Sequence, residues 1–493
     1  DIQAWFADCV THKDCKQPTE TSLSRLVIQV NPSNDPYQVR LLEFTRLKGR
    51  YATLSYCWGA PSSHVLTSST LKQYKRAIPW SYIPQTIKDA IQVTRAANLQ
   101  YPWVDAFCIF QDDGKDKIHE ITNMCDIYRK YYITIVAANA DDASKGFLGH
   151  GLIDVETYTV PFRIETVQSW ALTLQEQALS QRVLYFGNYT LQWRCGAGKI
   201  SLARDTIRFS GYHLKRGGED ELQCAMLKPL PWSKDDAPRL WVRLIANYSP
   251  RKCTNAMDRL NALAGIAQAF SSSLGPAYYA GLWQVDPLQQ HDWHRGTGGP
   301  TQVVRSQVYC APSWSWASSR GDIETMYSRE KWVSHVVKVE CTPSSPELPY
   351  GAVTSGFIIL SGRFAYGQLV RCHGGGGHPW TIMLEKKDGH VHSIYNAGEG
   401  SLKLRDKPMR VFLDGIGEME PKRVLCFAMY AIYISGRVGG LVLEAAAQRT
   451  NTFRRVRQFD RISDVESKPY ESWTDGEVAI IRASLLLAIR HER

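Results

Sequence analysis

Glu120 is the first of two acidic residues from which a protein could act on a bound ligand. It lies in residues 116–130, where apolar side chains recur at helical spacing: Ile118, Ile121, Met124, Cys125 and Tyr128. At about 100° per residue, Glu120 falls at the border of this apolar face. A border position fits a carboxylate turned into a cleft, but spacing alone favours a solvated charge near a helix N-terminus, where acids complement the dipole.

Asp105 is the second acidic residue, and it stands inside the apolar run of residues 101–110. A carboxylate there can accept two hydrogen bonds from a ligand, or it can cap a backbone turn, and the two interpretations are equally favoured. Ser55, Tyr56 and Trp58 close the preceding apolar run. Trp58 offers a face for stacking on a flat ring, although a packed core tryptophan is the favoured interpretation.

Gln111 and Asp112 follow the second apolar run, in a loop where residues that set specificity tend to lie. They are therefore candidate substrate-binding residues, together with Ser55, Tyr56 and Trp58. Cys108 has no neighbouring histidine or cation in the sequence that would activate its thiol, so we expect it in the core.

Cys9, His12 and Cys15 have the spacing of a metal knuckle. A tetrahedral structural zinc site needs four ligands, and the sequence nearby offers no convincing fourth. The favoured interpretation is an amphipathic helix that carries Trp5 and Cys9 on one face. We therefore expect no metal site.

The elements that would position Glu120 and Asp105 alternate between strands and helices. Strands are expected at 51–58, 101–110 and 132–138, and helices at 84–98, beginning with Pro84, and 116–130. This order predicts right-handed crossovers and a parallel sheet. Ligands of such sheets bind beyond the carboxyl ends of the strands.

The rest of the chain predicts a mixed architecture. Residues 1–50 are expected to form a helical and extended lead-in, 51–150 the α/β module, 151–300 a mixed α/β region and 301–493 a β-rich region. Helices are expected at 240–248 and 258–270. Strands are expected at 356–360, 424–434 and 440–443, with glycines between them.

Three ordered blocks in residues 51–150 resemble the HET (heterokaryon incompatibility) domain of fungal proteins. They are YATLSYCWG at 51–59, PQTIKDA at 84–90 followed by WVDAFCI at 103–109, and Glu120 followed by IVAA at 135–138 and GFL at 146–148. Further segments, among them LQE at 174–176, also resemble proteins of this type. The resemblance implies a TIR-like or flavodoxin-like parallel-sheet module within an α/β fold.

HET domains are distantly similar to TIR domains, many of which cleave NAD at the nicotinamide–ribose bond. The resemblance thus implies NAD as a substrate and no bound cofactor. Glu120 would be the catalytic carboxylate that stabilises a developing oxocarbenium ion. Asp105 would orient a ribose hydroxyl and Trp58 would stack on a ring. A homo-oligomer is an expected partner, because TIR-like activity often needs assembly.

Two other functions stay open. A cofactor-free enzyme of fungal secondary metabolism could condense or cyclise an apolar intermediate in an aromatic pocket built from the 15 tryptophans and 24 tyrosines. A non-catalytic recognition module could instead signal by association. The sequence contains no Gly-x-Gly-x-x-Gly after a strand, Walker A, Gly-x-Ser-x-Gly or His-Glu-x-x-His motif, which argues against several common enzyme classes.

The composition of the chain indicates which partners and which cellular location to expect. The net charge of +10 favours anionic ligands, but no basic run or nucleic-acid motif accompanies it, so we expect no nucleic-acid partner. Twelve cysteines in 493 residues are too few for a disulfide scaffold and fit a reducing cytosol, so a cytoplasmic location is expected. The longest apolar run, at 424–434, is shorter than the ~18 residues of a membrane span.

Overall fold

The computed structural model divides the chain into two compact units: Asp1–Leu244 with Arg251–Thr254 and Asn261–Gly275, and Ile245–Pro250 with Asn255–Leu260 and Pro276–Arg493. It describes residues 2–13, 15, 20–22, 24–31, 35–44, 48–60, 62–130, 132–148, 160–161, 169–188, 191–202, 209–210, 226, 232–253, 255–285, 290, 293–295, 304–305, 308–321, 323–325, 331–332, 334–371, 380–384, 409–413, 422–432, 437–445, 452–461 and 474–481.

The described helices are α1 (Ile2–Thr11), α2 (Leu71–Arg76), α3 (Gln85–Ala96), α4 (Asp105–Cys108), α5 (Gly114–Arg129), α6 (Ala171–Ala178), α7 (Asp236–Tyr248), α8 (Asp258–Asn261) and α9 (Ala264–Leu274), with 3₁₀ turns at Trp80–Tyr82 and Trp316–Ser318. None of them has both the length and the apolarity that crossing a lipid bilayer requires.

The described strands of the first unit are β1 (Thr21–Ser22), β2 (Leu26–Val30), β3 (Val39–Glu43), β4 (Lys48–Gly49), β5 (Tyr51–Ser55), β6 (Tyr101–Trp103), β7 (Ile133–Ala137), β8 (Val160–Pro161), β9 (Arg182–Phe186), β10 (Leu191–Cys195), β11 (Gly198–Leu202) and β12 (Phe209–Ser210). Those of the second unit are β13 (Tyr278–Tyr279), β14 (Leu282–Trp283), β15 (Trp293–Arg295), β16 (Val304–Arg305), β17 (Ser319–Arg320), β18 (Ile323–Thr325), β19 (Lys331–Trp332), β20 (His335–Pro343), β21 (Val353–Arg371), β22 (Trp380–Leu384), β23 (Met409–Leu413), β24 (Lys422–Ile432), β25 (Arg437–Ala445), β26 (Thr452–Arg461) and β27 (Thr474–Ile481).

The first unit is built on a six-stranded sheet with the order β11-β10-β9-β7-β5-β6. The pairs β6–β5, β5–β7 and β7–β9 are parallel, whereas β9–β10 and β10–β11 are antiparallel. Every residue of β5 and β7 is buried, as expected of strands covered on both faces. The α/β class expected from the sequence is confirmed, and the sheet is mixed.

Helix α3 confirms the expected pattern closely. It begins directly after Pro84, whose fixed φ suits a helix start. Its predicted apolar face is buried, with Ile87, Ala90, Ile91 and Thr94 at 1 % exposure or less. Helical periodicity and a proline start signal together identified this element because neither depends on distant residues.

The predicted strand at 101–110 is wrong in its second half. Strand β6 ends at Trp103, and the short helix α4 begins at Asp105. Oδ1 of Asp105 accepts a hydrogen bond from the Ala106 amide at 2.7 Å. The amide of Cys108 donates to the Val104 carbonyl at 2.8 Å, which closes the turn. A short apolar run does not distinguish a strand from a buried helical turn.

The second unit is β-rich, as expected. Its nine-stranded sheet runs β19-β24-β25-β26-β23-β22-β21-β20, with β27 pairing with β21 and β26, and β24 also pairing with β21. The strands expected at 356–360 and 440–443 lie within β21 and β25. Of the expected strand 424–434, residues 424–432 lie in β24 and 433–434 are outside the described residues. The helix expected at 258–270 is two helices, α8 and α9.

Candidate functional site

Asp105 lies beyond the carboxyl end of β5, beside the residues that follow that strand. Nε1 of Trp58 donates a hydrogen bond to Oδ2 of Asp105 at 2.8 Å. The other carboxylate oxygen caps the first turn of α4. Asp105 therefore combines the two roles considered from the sequence: it holds a backbone turn, and it presents an oxygen beside an aromatic side chain.

Trp58 is 38 % exposed, so it is not the packed core tryptophan that the sequence favoured. Its ring is stacked near that of Tyr56, with the centroids 6.5 Å apart and the planes at 19°. The chain then turns at Gly59, where φ is +74° and an added Cβ would lie 1.8 Å from Oδ2 of Asp142. Only glycine fits this turn, which holds the indole at the surface next to Asp105.

Glu176 brings a second carboxyl group to the same place. It lies on α6 and is 7 % exposed. The phenol of Tyr128 and the hydroxyl of Ser55 both act on it, and the charge of Asp105 reaches it. Within the described part of the chain, Oε2 of Glu176 and Oγ of Ser55 have no hydrogen-bond partner.

Burial gives the two carboxyl groups different pKa values. Burial raises the pKa of Asp105 to about 6, against the opposing effect of hydrogen bonds from Trp58, Ala106 and Tyr56. Burial and then the charge of Asp105 raise the pKa of Glu176 to about 8. At neutral pH the pair therefore holds one proton, mainly on Glu176, while Asp105 is ionised.

The tyrosines of this cluster stay protonated. Burial, followed by the charge of Asp105, raises the pKa of Tyr56 well above its usual value. Burial, followed by the charge of Glu176, does the same for Tyr128. Both phenols can therefore act as hydrogen-bond donors over the whole physiological pH range. We call Ser55, Tyr56, Trp58, Asp105, Tyr128 and Glu176 the carboxyl cluster.

Glu120 belongs to a different set of charges. It is 3 % exposed, so the solvated helix charge that spacing favoured is not what the structure contains. Burial raises its pKa, the charge of Arg25 lowers it, and the charge of Asp116 raises it. Arg25 pairs with Asp116 at 2.5 Å. The structure therefore brings Asp105 together with Ser55, Tyr56 and Trp58, and it places Glu120 in the network of Arg25 and Asp116.

The side chains of Gln111 and Asp112 make hydrogen bonds that stabilise the loop in which they lie. Nε2 of Gln111 donates to the carbonyls of Ile109 at 3.0 Å and Asp105 at 3.3 Å. Both carboxylate oxygens of Asp112 accept from the Ser68 amide, at 3.0 and 3.1 Å. The backbone hydrogen bond from Ser68 lowers the pKa of Asp112. These contacts fasten the loop after α4 to the turn that precedes α2.

Sequence reasoning did not select Glu176 as a site residue, although the LQE segment at 174–176 was part of the resemblance. What marks Glu176 is its position in a helix that is almost entirely buried. Seven of the eight residues of α6, Glu176 included, are buried. A buried acid is rare unless it is paired or functional. The burial itself is visible only in the folded chain.

Comparison with protein families supports the resemblance. Residues 51–184 match the family model described as heterokaryon incompatibility protein (HET). The match reaches past residue 150, so it contains the whole carboxyl cluster as well as Glu120. Comparisons with curated proteins and with solved structures gave no match. Residues 51–184 thus match the HET domain, and the whole candidate site lies within this segment.

Proposed function

We propose that this HET domain cleaves the nicotinamide–ribose bond of NAD, with Asp105 as the catalytic carboxylate. One observation carries the proposal. The partly exposed carboxylate of Asp105, whose pKa is raised, accepts a hydrogen bond from the indole of the exposed Trp58, and the protonated carboxyl group of Glu176 lies nearby. The TIR-like similarity that the family resemblance implies supports the reaction. In that resemblance Glu120 holds the catalytic role, and the burial of Glu120 beside Arg25 and Asp116 makes Asp105 the better candidate.

The reaction needs a negative charge next to the ribose. The C–N bond breaks with its electron pair going to nicotinamide, which leaves an oxocarbenium ion on the ribose. The ionised carboxylate of Asp105 stabilises this positive charge and accepts hydrogen bonds from a ribose hydroxyl. Water then adds to the ribose and releases a proton, so NAD⁺ and water yield nicotinamide, ADP-ribose and H⁺. The exposed ring of Trp58 supplies a face on which a flat ring can stack.

Glu176 acts through Asp105 and is a positioning residue. With a pKa of about 8 it is mostly neutral at pH 7, so it adds little negative charge beside Asp105. If Glu176 were ionised as well, its charge would raise the pKa of Asp105 further. Asp105 would then be protonated at neutral pH. The phenol of Tyr128, close to Glu176, stays protonated with it.

The test is nicotinamide release from NAD by the full chain at micromolar concentrations that allow assembly. Three variants are compared with the parent: Asp105→Asn, Glu120→Gln and, as a matched control, Asp126→Asn, which removes an exposed acid of α5. We expect release by the parent, the Asp126 variant and the Glu120 variant, and release about 1,000-fold lower by Asp105→Asn. No release by a folded parent would overturn the function. Loss in Glu120→Gln alone would overturn the assignment to Asp105.

The alternative functions have less support in the described residues. Four tryptophans of the second unit, Trp283, Trp293, Trp314 and Trp316, are at most 1 % exposed and pack in its core. These four tryptophans therefore contribute to a packed core and do not line an open aromatic pocket. No observation among the described residues favours the secondary-metabolic enzyme or the recognition module over the NAD-cleaving enzyme.

A further inference from the structure

Four side chains that bind soft metal ions meet at one point of the first unit. They are Cys9, His12, Cys15 and Cys195. Their ligand atoms all lie within 4.8 Å of one another. Three of them come from the knuckle spacing already noted in the sequence. The fourth, Cys195, comes from a distant segment and was missing from the argument that predicted no metal site. We call these four residues the thiol cluster.

Two of the distances between the ligand atoms match those of a tetrahedral zinc site. Sγ of Cys15 and Sγ of Cys195 each lie 3.6 Å from Nδ1 of His12. In a tetrahedral zinc site with bonds of about 2.3 Å to sulfur and about 2.05 Å to nitrogen, the sulfur–nitrogen edge is about 3.6 Å. These two edges have the length expected for a tetrahedral zinc site, and the other pairs of ligand atoms lie within 4.8 Å of one another.

Local structure explains how the ligands converge. Cys9 lies near the end of α1, and His12 and Cys15 follow the helix at intervals of three residues. Cys195 ends β10 immediately before the two-residue turn that leads into β11. The Ala197 amide of this turn donates toward the sulfur atoms of Cys195 and Cys15. Amide groups directed at thiolates are a common outer-shell feature that tunes metal sites.

The surrounding charges suit a bound dication. Nε2 of His12 lies 3.3 Å from Oδ2 of Asp8, so the carboxylate can accept the proton of that nitrogen and leave Nδ1 free to bind an ion. A histidine between a carboxylate and a metal is the usual outer-shell arrangement of zinc sites. The guanidinium of Arg182, 2 % exposed, lies close enough to Cys9 to interact with it electrostatically. It would balance the extra negative charge of three thiolates around a dication.

Aromatic packing fixes the two halves of the cluster against each other. Phe6 on α1 packs edge-on against Trp193 on β10, with the ring centroids 4.8 Å apart. Trp5 also contacts Trp193, at 6.3 Å. Cys9 is fully buried next to this contact. The four ligands therefore stand on two elements that already have a fixed relative position, as a preformed metal site requires.

We propose that Cys9, His12, Cys15 and Cys195 bind one zinc ion, which links α1 to the β10–β11 hairpin. A closed set of three cysteines and one histidine is typical of structural zinc and leaves no position open for catalysis. The ion would stabilise the edge of the sheet beyond the parallel strands. This inference is independent of the proposed NAD cleavage, since none of the four residues belongs to the carboxyl cluster.

The direct test is the metal content of the full chain, purified under reducing conditions without chelators. We expect one zinc ion per chain. After exchange for Co²⁺, we expect the visible absorption of a tetrahedral cobalt site together with thiolate charge-transfer bands in the near ultraviolet. The cobalt spectrum needs no variant, so it reports on the site even if the substituted chains fold poorly.

Variants then assign the ligands. Cys195→Ser and His12→Ala are expected to lose the bound zinc, and Asp8→Asn to weaken zinc binding by about tenfold through its effect on His12. Cys253→Ser, which removes a half-buried cysteine outside the cluster, serves as the matched control and should keep one zinc per chain. Absence of zinc and of a cobalt spectrum in the folded parent would overturn the proposal. A disulfide between Cys9 and Cys195 in that protein, detected by alkylation and mass spectrometry, would do the same.

Discussion

The carboxyl cluster and the thiol cluster lie in the same unit, and burial raises pKa values in both, but the groups that surround them differ. In the carboxyl cluster, Asp105 and Glu176 lack a neighbouring cation among the groups that act on them, and burial raises both pKa values. In the thiol cluster, the guanidinium of Arg182 interacts with Cys9, and four ligand atoms converge within 4.8 Å of one another. A raised pKa prepares a group for proton or charge chemistry, whereas a closed ligand set serves stability. Substitutions in the two clusters should therefore affect different properties.

Asp105→Asn should give the largest effect, and it should be on activity. The amide keeps the size of the side chain but removes the charge that stabilises the oxocarbenium ion. We expect nicotinamide release to fall about 1,000-fold. Thermal unfolding, measured in parallel, should change little. If Asp105→Asn lowered the melting temperature but left nicotinamide release per folded molecule unchanged, the carboxyl cluster would serve stability, and the expected contrast with the thiol cluster would be wrong.

Zinc removal should have the opposite profile. Zinc present at about 1,000 times its dissociation constant stabilises a folded protein by about 4 kcal/mol. For a unit of this size we expect a chelator to lower the melting temperature by at least about 8 °C. Calorimetry with and without a chelator measures the shift, and restored zinc should reverse it. Nicotinamide release at 25 °C should persist as long as the chain stays folded.

Glu176→Gln should change how stability depends on pH. The folded-state pKa of about 8 lies above the usual value of 4.5, so the folded chain holds this proton more tightly than the unfolded chain does. The free energy of unfolding should then fall as pH rises from about 5 to about 8, by up to about 1.4 kcal/mol per pH unit. Glutamine cannot ionise, so the variant should lose this part of the slope. Urea titrations at pH 5, 6.5 and 8 measure it, and an unchanged slope would contradict the assigned burial cost.

Trp58→Phe tests the hydrogen bond within the carboxyl cluster. Phenylalanine keeps a flat ring but removes the indole N–H that stabilises the ionised form of Asp105. A hydrogen bond to a charged group is worth about 1.5 kcal/mol, so the pKa should rise by about one unit. The reaction requires ionised Asp105. As the pH is lowered, activity should therefore begin to fall at a pH about one unit higher in the variant than in the parent. An unshifted pH profile would mean that Asp105 does not limit the reaction.

Glu120→Gln should give the smallest effect on activity, with nicotinamide release close to that of the parent. Its pKa is set by burial and by the charges of Arg25, Asp116 and His119, and Asp105 is not among the groups that act on it. The pH–activity profile compared with that of Asp105→Asn measures the difference. If Glu120→Gln reduced release as strongly as Asp105→Asn, the reactive centre would have to include α5.

Part of the candidate site was predictable from the sequence because it depends on local pattern. The apolar strand predicted at 51–58 and the acid at Asp105 implied a site beyond the carboxyl ends of parallel strands, and the structure places Asp105 beside Trp58. The helix at Asp105 was not predictable, because the same apolar run suits a strand or a buried turn. Glu120 was predicted at the border of the apolar face of its helix with a solvated charge favoured, whereas it is buried, and its neighbours Arg25 and Asp116 could not be deduced from periodicity.

The sequence by itself determined the strand–helix alternation, the start of α3 and the HET resemblance, all of which rest on residues close together in the chain. Only the tertiary structure decided which polar groups meet. His12 and Cys195 are 183 residues apart, yet their ligand atoms lie 3.6 Å apart. Glu176 joins Asp105 because α6 packs near β5 and β7. Burial then sets the charge of these groups, because the cost of ionisation depends on the solvent and charges that surround a side chain in three dimensions.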